Sequence, residues 1–228
     1  SFILRDNSTQ HRRRYLRRLL ALFLFGLAHA VFFFVGDILI TYAIFGLLLL
    51  AVSRTSDRTL RRWVFAAFAV GVVFILIIST LNAAFPDESS GLEGLDSAMA
   101  TGSFAEASLA RLEALPLVLA VIIFLQGPMA FAAFALGLMA SRRRLLADPE
   151  AHVTLWRRLA IWGWGIGLPL QLIAGVLQAN DIASDSSVPL AGASGTALGF
   201  ISAPILTAGY IGSIALAIAI KPRFLAIM

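Results

Sequence analysis

Charge is scarce in this chain and cysteine is absent. Charged residues make up only 14% of the 228 positions, and there is no cysteine. The missing thiols exclude disulfides and thiolate metal sites, though they do not separate an oxidising compartment from a reducing one. Three histidines, His11, His29 and His152, are present, with none of the recognised zinc spacings, so no metal is expected. Nor is there a glycine-rich phosphate loop, a serine nucleophile elbow or a kinase signature. What fills the sequence instead is apolar: 59% of residues are hydrophobic and the mean hydropathy is +0.87. The apolar residues come in runs of about twenty, the length a helix needs to cross roughly 30 Å of hydrocarbon. A single soluble core would interrupt such runs with polar faces. The expected fold class is therefore all-α, a polytopic membrane helical bundle.

Six runs can be traced, over residues 19–35, 38–52, 63–82, 116–140, 159–177 and 197–220, with an outer polar segment at 83–115. They are read as the spans of one transmembrane domain covering 1–228. Gly36 and Asp37 separate the first two runs, so these should form a tight hairpin, a bent helix being the alternative. Loop charges test the count, because cytoplasmic loops retain Arg and Lys near helix ends. With the segment before Leu19 inside, 17 of the 18 basic residues fall on the cytoplasmic side and only Arg111 falls outside. Asp37, Asp87, Glu88, Glu93, Asp96, Glu106, Glu113, Asp181 and Asp185 then lie on the outer side. A bacterial cytoplasmic membrane, with the arginine-rich loops inside, is the expected location. The net charge of +5 does not point to nucleic acid, since the arginines sit in short clusters between apolar runs. The chain begins at Ser1, with Phe2 to Leu4 reading like the tail of an earlier span, and stops inside an apolar stretch; further spans are expected on both sides.

Softer signals fill in the outer segment and the packing. Ser103 with Glu106 three residues later is a capping-box pattern, and Leu109, Leu112 and Leu115 follow at helical spacing. A short outer helix lying at the membrane surface is one reading; a plain connector is the other. Gly163 with Gly167, and Gly195 with Gly199, have the small-residue spacing that lets membrane helices approach closely. Pro128, Pro169 and Pro204 would each remove a helical hydrogen bond and kink or break a span.

Polar residues within apolar runs carry the functional information, because hydrocarbon tolerates them only beside partners or a cavity. His29 lies in the outer half of the first span and Asp37 follows eight residues later. In a straight helix the two would stand about 12 Å apart along the axis and roughly 80° apart around it. A bend at Gly36 would fold the carboxylate back toward the imidazole, giving a general base with an orienting acid. The plainer reading is a His29 bonded to a carbonyl and an Asp37 capping the second helix. Tyr42 and Gln126, with Gln171 and Asn82, are candidates for lining a substrate cavity, or else for hydrogen bonds between helices. Arg17, Arg18, Arg142, Arg143 and Arg144 are candidates for holding the phosphates of a cytoplasmic cofactor, although topology and anionic lipid also explain them.

The hairpin sequence RRLLALFLFGLAHAVFFFVGDILITYAIFGLLLL, Arg17 to Leu50, resembles the YeiB-like bacterial membrane proteins. The resemblance is carried by the RRL start, the G-x-x-H at Gly26 to His29, the GDIL at Gly36 to Leu39 and the YA-x-x-G at Tyr42 to Gly46. Leu136 to Arg144, with Gly137 and Met139 ahead of an arginine cluster, is similar to that family's later region, the domain of unknown function 418. The family's aspartate-arginine-glycine motif is not present in this sequence. Because the YeiB-like family looks related to transmembrane acyltransferases that use cytosolic acetyl-CoA, the resemblance implies acyl transfer from a cytoplasmic acyl-CoA to an outer-face glycan or lipid. In that reading the cytoplasmic arginines would receive the nucleotide end of the donor, with His29 as base and Asp37 as its orienting partner. Two other functions stay open. A transporter or export factor would line a path with the same polar residues, and a non-catalytic subunit would use them to lock the hairpin. Expected partners are membrane lipids and a membrane-protein partner or a second copy.

Overall fold

A computed structural model describes residues 9–85, 92–183 and 189–220. Asp87, Glu88, Asp185, Lys221, Arg223 and the Phe2–Leu4 stretch lie outside the described residues, as do the side chains of Asn82 and Asp181. Among the described residues the structure is helical throughout, without a strand. In chain order the helices are α1 (Thr9–Phe32), α2 (Leu39–Val52), α3 (Asp57–Ala84), α4 (Glu93–Thr101), α5 (Phe104–Leu125) and α6 (Gly127–Arg142). They continue with α7 (Val153–Trp162), a π-helical turn (Gly163–Gly167), α8 (Leu168–Ala183) and α9 (Pro189–Ile220). Among the described residues five stretches are long and apolar enough to cross a membrane: Gln10–Phe32, Asp57–Leu81, Phe104–Leu125, Glu150–Asn180 and Gly192–Ile220. Their outward faces are apolar: Phe65 is 74% exposed and Leu172 61%, a surface that lipid solvates and water does not. The chain is a multi-pass membrane protein.

The second apolar run behaves differently. It forms α2, a helix of 14 residues, which at 1.5 Å per residue is about 21 Å long, short of a bilayer's hydrocarbon core.

The fourth run, expected as one span over 116–140, is divided. Pro128 has no N–H to continue the ladder of α5. The chain therefore turns at Gln126, and Pro128 sits in the first turn of α6, where a missing donor costs nothing. The span begins much earlier than its apolar run, at Phe104, behind the capping box: Ser103 N–H donates to Glu106 Oε2 at 2.6 Å, and Glu106 N–H to Ser103 Oγ at 3.3 Å. So the Ser103 signal does start a helix, but the helix is α5 itself and not a separate surface segment.

The chain divides into two compact units, one of Ser1–Phe74 with Asp87–Met139, the other of Ile75–Pro86 with Ala140–Met228. In the first unit, Leu49, Leu60, Phe131, Ala135, Leu138 and Met139 form one buried apolar cluster, and Ala30, Ile40 and Leu115 form a second at the α1–α2 corner. In the second unit α9 packs along α7 and α8. Pro169 lacks the N–H that would bond to Gly165, and the helix widens into the π turn just ahead of it. Gly163 and Gly167 face α9 so closely that their missing side chains are the contact: a Cβ on Gly163 would lie 2.2 Å from Gly209 Cα, and one on Gly167 2.6 Å from Leu206 N. Gly195 likewise abuts Ala174 O. The small-residue spacings thus serve packing within this chain. Across the same interface Trp164 Nε1–H donates to Ser213 Oγ at 2.8 Å and Gln171 Nε2–H to Gly199 O at 2.8 Å.

After α6 the chain closes in a Schellman turn. Leu145 N–H donates to Ala140 O at 3.0 Å and Arg144 N–H to Ser141 O at 3.1 Å, with Arg144 in the left-handed region at φ 55°. A side chain there costs about 1 kcal/mol. Arg144→Gly is expected to stabilise the chain by about that amount in a thermal melt in neutral detergent; an unchanged or lower melting temperature would show that the arginine side chain offsets the strain with contacts of its own.

Candidate functional site

The site is built by the α1–α2 corner. Helix α1 ends at Phe32; the carbonyl of His29 accepts the N–H groups of both Phe33 and Phe34 at 2.9 Å, and the chain then reverses through Val35 and Gly36. Gly36 is not left-handed here, so the reversal does not depend on a glycine-only conformation. It sets Asp37 at the start of α2, where Oδ1 accepts the N–H of Leu39 at 2.7 Å and of Ile40 at 3.4 Å. These are donors that the first turn of a helix leaves unpaired. The other carboxylate oxygen, Oδ2, lies 2.7 Å from His29 Nδ1. The contact that a bend at Gly36 would make is therefore present, and so is the Asp37 cap on α2, while His29 bonds to the carboxylate rather than to the carbonyl of the plainer reading.

Two glycines make this docking possible. A Cβ at Gly26, one turn before His29, would lie 3.0 Å from Asp37 Oδ1, from Ile40 N and from Leu39 Cβ alike. At the other end of the hairpin a Cβ on Gly46 would lie 2.7 Å from Leu19 Cδ2, while Tyr15 Oη–H donates to the Gly46 carbonyl at 2.9 Å. The glycines of G-x-x-H and YA-x-x-G are thus the places where α1 and α2 touch.

The protonation pattern follows from the bonding. An ionised carboxylate can only accept, so a neutral His29 facing Oδ2 places its hydrogen on Nδ1 and leaves the lone pair on Nε2. Asp37 is buried, and the His29 side chain is 38% exposed. The ring is further fixed by the Phe33 ring stacked at 5.8 Å between centroids. An oriented imidazole with one open nitrogen, backed by a buried carboxylate, can take a proton from a hydroxyl or amine.

The other candidates are dispersed. Tyr42 meets Phe134 edge to face at 5.5 Å, and Gln126 occupies the turn between α5 and α6. No hydrogen bond or ring contact joins either to His29 or Asp37. Gln171 belongs to the second unit, as an interhelical donor. Arg17 and Arg18 are exposed on α1; Arg142 is half-buried, and Arg143 and Arg144 are exposed, beyond the Met139 boundary and so in the second unit. Among the described residues no three His, Asp or Glu side chains converge as metal ligands.

One residue of this corner escapes the sequence reading. Arg111, which enters there only as the exception to the charge pattern, is 9% exposed on α5 and donates through Nη1 to the Phe32 carbonyl at 3.4 Å. A signal is available: Ala107, Ser108, Arg111, Leu115 and Ile122 are the buried positions of α5, and Arg111 falls on that helical stripe.

Comparison with known proteins divides along the same line as the structure. Residues 140–227 match the family described as "Protein of unknown function (DUF418)". The match covers 88 of the 228 residues, a likeness confined to that segment. That segment coincides with the main stretch of the second unit, Ala140–Met228, and takes in the arginines of the likeness read from Leu136 to Arg144 but not Gly137 or Met139; the His29–Asp37 hairpin lies outside the matched residues. The chain is also similar to the uncharacterized protein YxaH of Bacillus subtilis (strain 168), 29% identical over 181 residues, which is 71% of this chain and 44% of that protein. The chain thus spans less than half the length of this relative. No solved structure matches it significantly.

Proposed function

We propose that this protein is a transmembrane acyltransferase of a bacterial cytoplasmic membrane, in which His29 is the general base and Asp37 orients it. The observation that carries the reading is the 2.7 Å contact between His29 Nδ1 and Asp37 Oδ2, which leaves Nε2 open on a ring held from behind. The acceptor's O–H or N–H loses its proton to Nε2 as its heteroatom attacks the carbonyl carbon of an acyl thioester. The C–S bond breaks, and the proton passes to the departing thiolate. Acyl-CoA is the proposed donor. Arg17 and Arg18, on the same helix as His29, would bind its phosphates with the arginine-rich ends inside. Arg17 stands twelve residues from His29, or about 18 Å along α1, so the donor must reach the base with an extended arm while its charged end stays at the arginines.

The test is label transfer from radiolabelled acetyl-CoA in membranes containing the full-length protein, beside His29→Ala at equal expression. Label in a lipid or glycan that falls by about 10²-fold or more with His29→Ala is the expected result. Label retained in the variant would remove His29 as the base, and no label from acetyl-CoA would overturn the proposal for this donor.

A further inference from the structure

We propose that Arg111 forms an oxyanion-binding site at the α1–α2 corner, one helical turn from His29, taking a phosphate or carboxylate group of the molecule bound there. Among the described residues two buried side-chain polar atoms have no hydrogen-bond partner, Arg111 Nε and Thr41 Oγ1, and both belong to the unit that holds His29 and Asp37. A guanidinium is always charged and offers five donors in a fixed fork. Here it is nine-tenths buried, and its bond to the Phe32 carbonyl is a long one, 3.4 Å.

The charge balance is incomplete as well. Phe32 is the last residue of α1, and the end of a helix supplies about −0.5 of an elementary charge, roughly half of what the cation requires. Asp37 does not supply the rest: its Oδ1 is taken by the Leu39 and Ile40 amides and its Oδ2 by His29. A buried charge whose Nε–H has no partner is costly, and an oxyanion seated side-on against Nε–H and a neighbouring Nη–H would satisfy both the orphaned donor and the missing half-charge.

The position tells what the anion belongs to. Leu115, one turn along α5 from Arg111, packs with Ala30 and Ile40, so the same face of α5 that carries Arg111 lies against both helices of the corner. Phe32 is three residues from His29, adjacent on the helix surface. Resting on the acyl-transfer reading, this makes the acceptor an anionic molecule whose phosphate or carboxylate anchors it beside the base. Anion binding itself requires no transfer, so it is measured separately.

The full chain, purified in an uncharged detergent, would be titrated with sodium phosphate and with sodium acetate at ionic strength held constant by chloride, following thermal unfolding. Saturable stabilisation by phosphate or acetate over chloride is expected in the wild type, with apparent affinity falling at least tenfold in Arg111→Gln and in Arg111→Lys, which keeps the charge but loses the fork. An Arg61→Gln/Arg62→Gln variant, changed at two exposed arginines of α3, should respond like the wild type. The same titration in phosphatidylglycerol and in phosphatidylcholine nanodiscs identifies the source: a response suppressed only in the anionic lipid points to a headgroup phosphate, and one equal in both to a soluble molecule. Absence of any anion-specific shift in the wild type, or an equal shift in Arg111→Lys, would overturn the proposal, and both readings hold even if Arg111→Gln fails to fold.

Discussion

Asp37→Asn is expected to leave the protein folded and to lower acyl transfer by roughly 10³-fold or more, the scale on which a wrong histidine tautomer acts in a base–acid pair. The two halves of the carboxylate decide this. Leu39 and Ile40 both present N–H groups to Oδ1, so an asparagine must keep its carbonyl oxygen there and turn its NH2 toward His29. That NH2 is a donor, and Nδ1 must then accept. The ring proton moves to Nε2, the lone pair that served as base is gone, and the helix cap survives. Asp37→Ala is the contrasting variant. It leaves the α2 amides without their acceptor as well, and should cost about 1–2 kcal/mol of stability in addition to activity. If the pair merely locks the hairpin, the order inverts: Asn, which retains the cap, would leave any measured function near wild type, and only Ala would harm it. Melting curves of both variants beside the transfer assay separate the two cases.

The hairpin is legible in the sequence for a physical reason. A glycine and an aspartate between two apolar runs mark a reversal or a bend, and a histidine in lipid requires a partner; the turn after Phe32 and the His29–Asp37 contact decide between the alternatives. The break in the fourth run is signalled by Pro128, but hydropathy alone joins what the backbone divides, because apolar composition continues through Gln126 and carries no information about N–H supply. The start of α5 is half legible: the capping box at Ser103 and Glu106 marks a helix, but Arg111 and Glu113 separate it from the apolar run that follows. Only the Phe32 carbonyl, contributed from 79 residues away in the chain, shows why an arginine can be buried there. The glycine motifs are visible as motifs, while their purpose is not. Gly26 and Gly46 are defined by atoms of the opposite helix, and a sequence does not state which atoms those are.

The second unit, which holds the DUF418 segment, yields the other large effect. Gly163→Ala is expected to destabilise it by about 3 kcal/mol, the upper part of the range for overpacking a core, and to lower the melting temperature by roughly 10 °C. The added methyl would meet Gly209 Cα and N at 2.2 Å and the Ile205 carbonyl at 2.9 Å. All three are backbone atoms, so no side chain can rotate away and the helices themselves must part. Parting them pulls on the Trp164–Ser213 hydrogen bond and on the Trp164–Tyr210 edge contact at 4.7 Å, so indole fluorescence should shift along with the melt. The same crossing seen from α9 is less severe: a methyl on Gly209 would approach Gly163 C at 2.9 Å and Trp164 N at 3.0 Å, backbone atoms again but at longer distances. A methyl added at Gly165 would have nothing within 4 Å, and Gly165→Ala should be neutral or slightly stabilising. The expected order of loss is therefore Gly163→Ala, then Gly209→Ala, then Gly165→Ala. Equal melting of the first and last would mean that α9 does not cross at Gly163, and with that the packing derived for the DUF418 segment would fall.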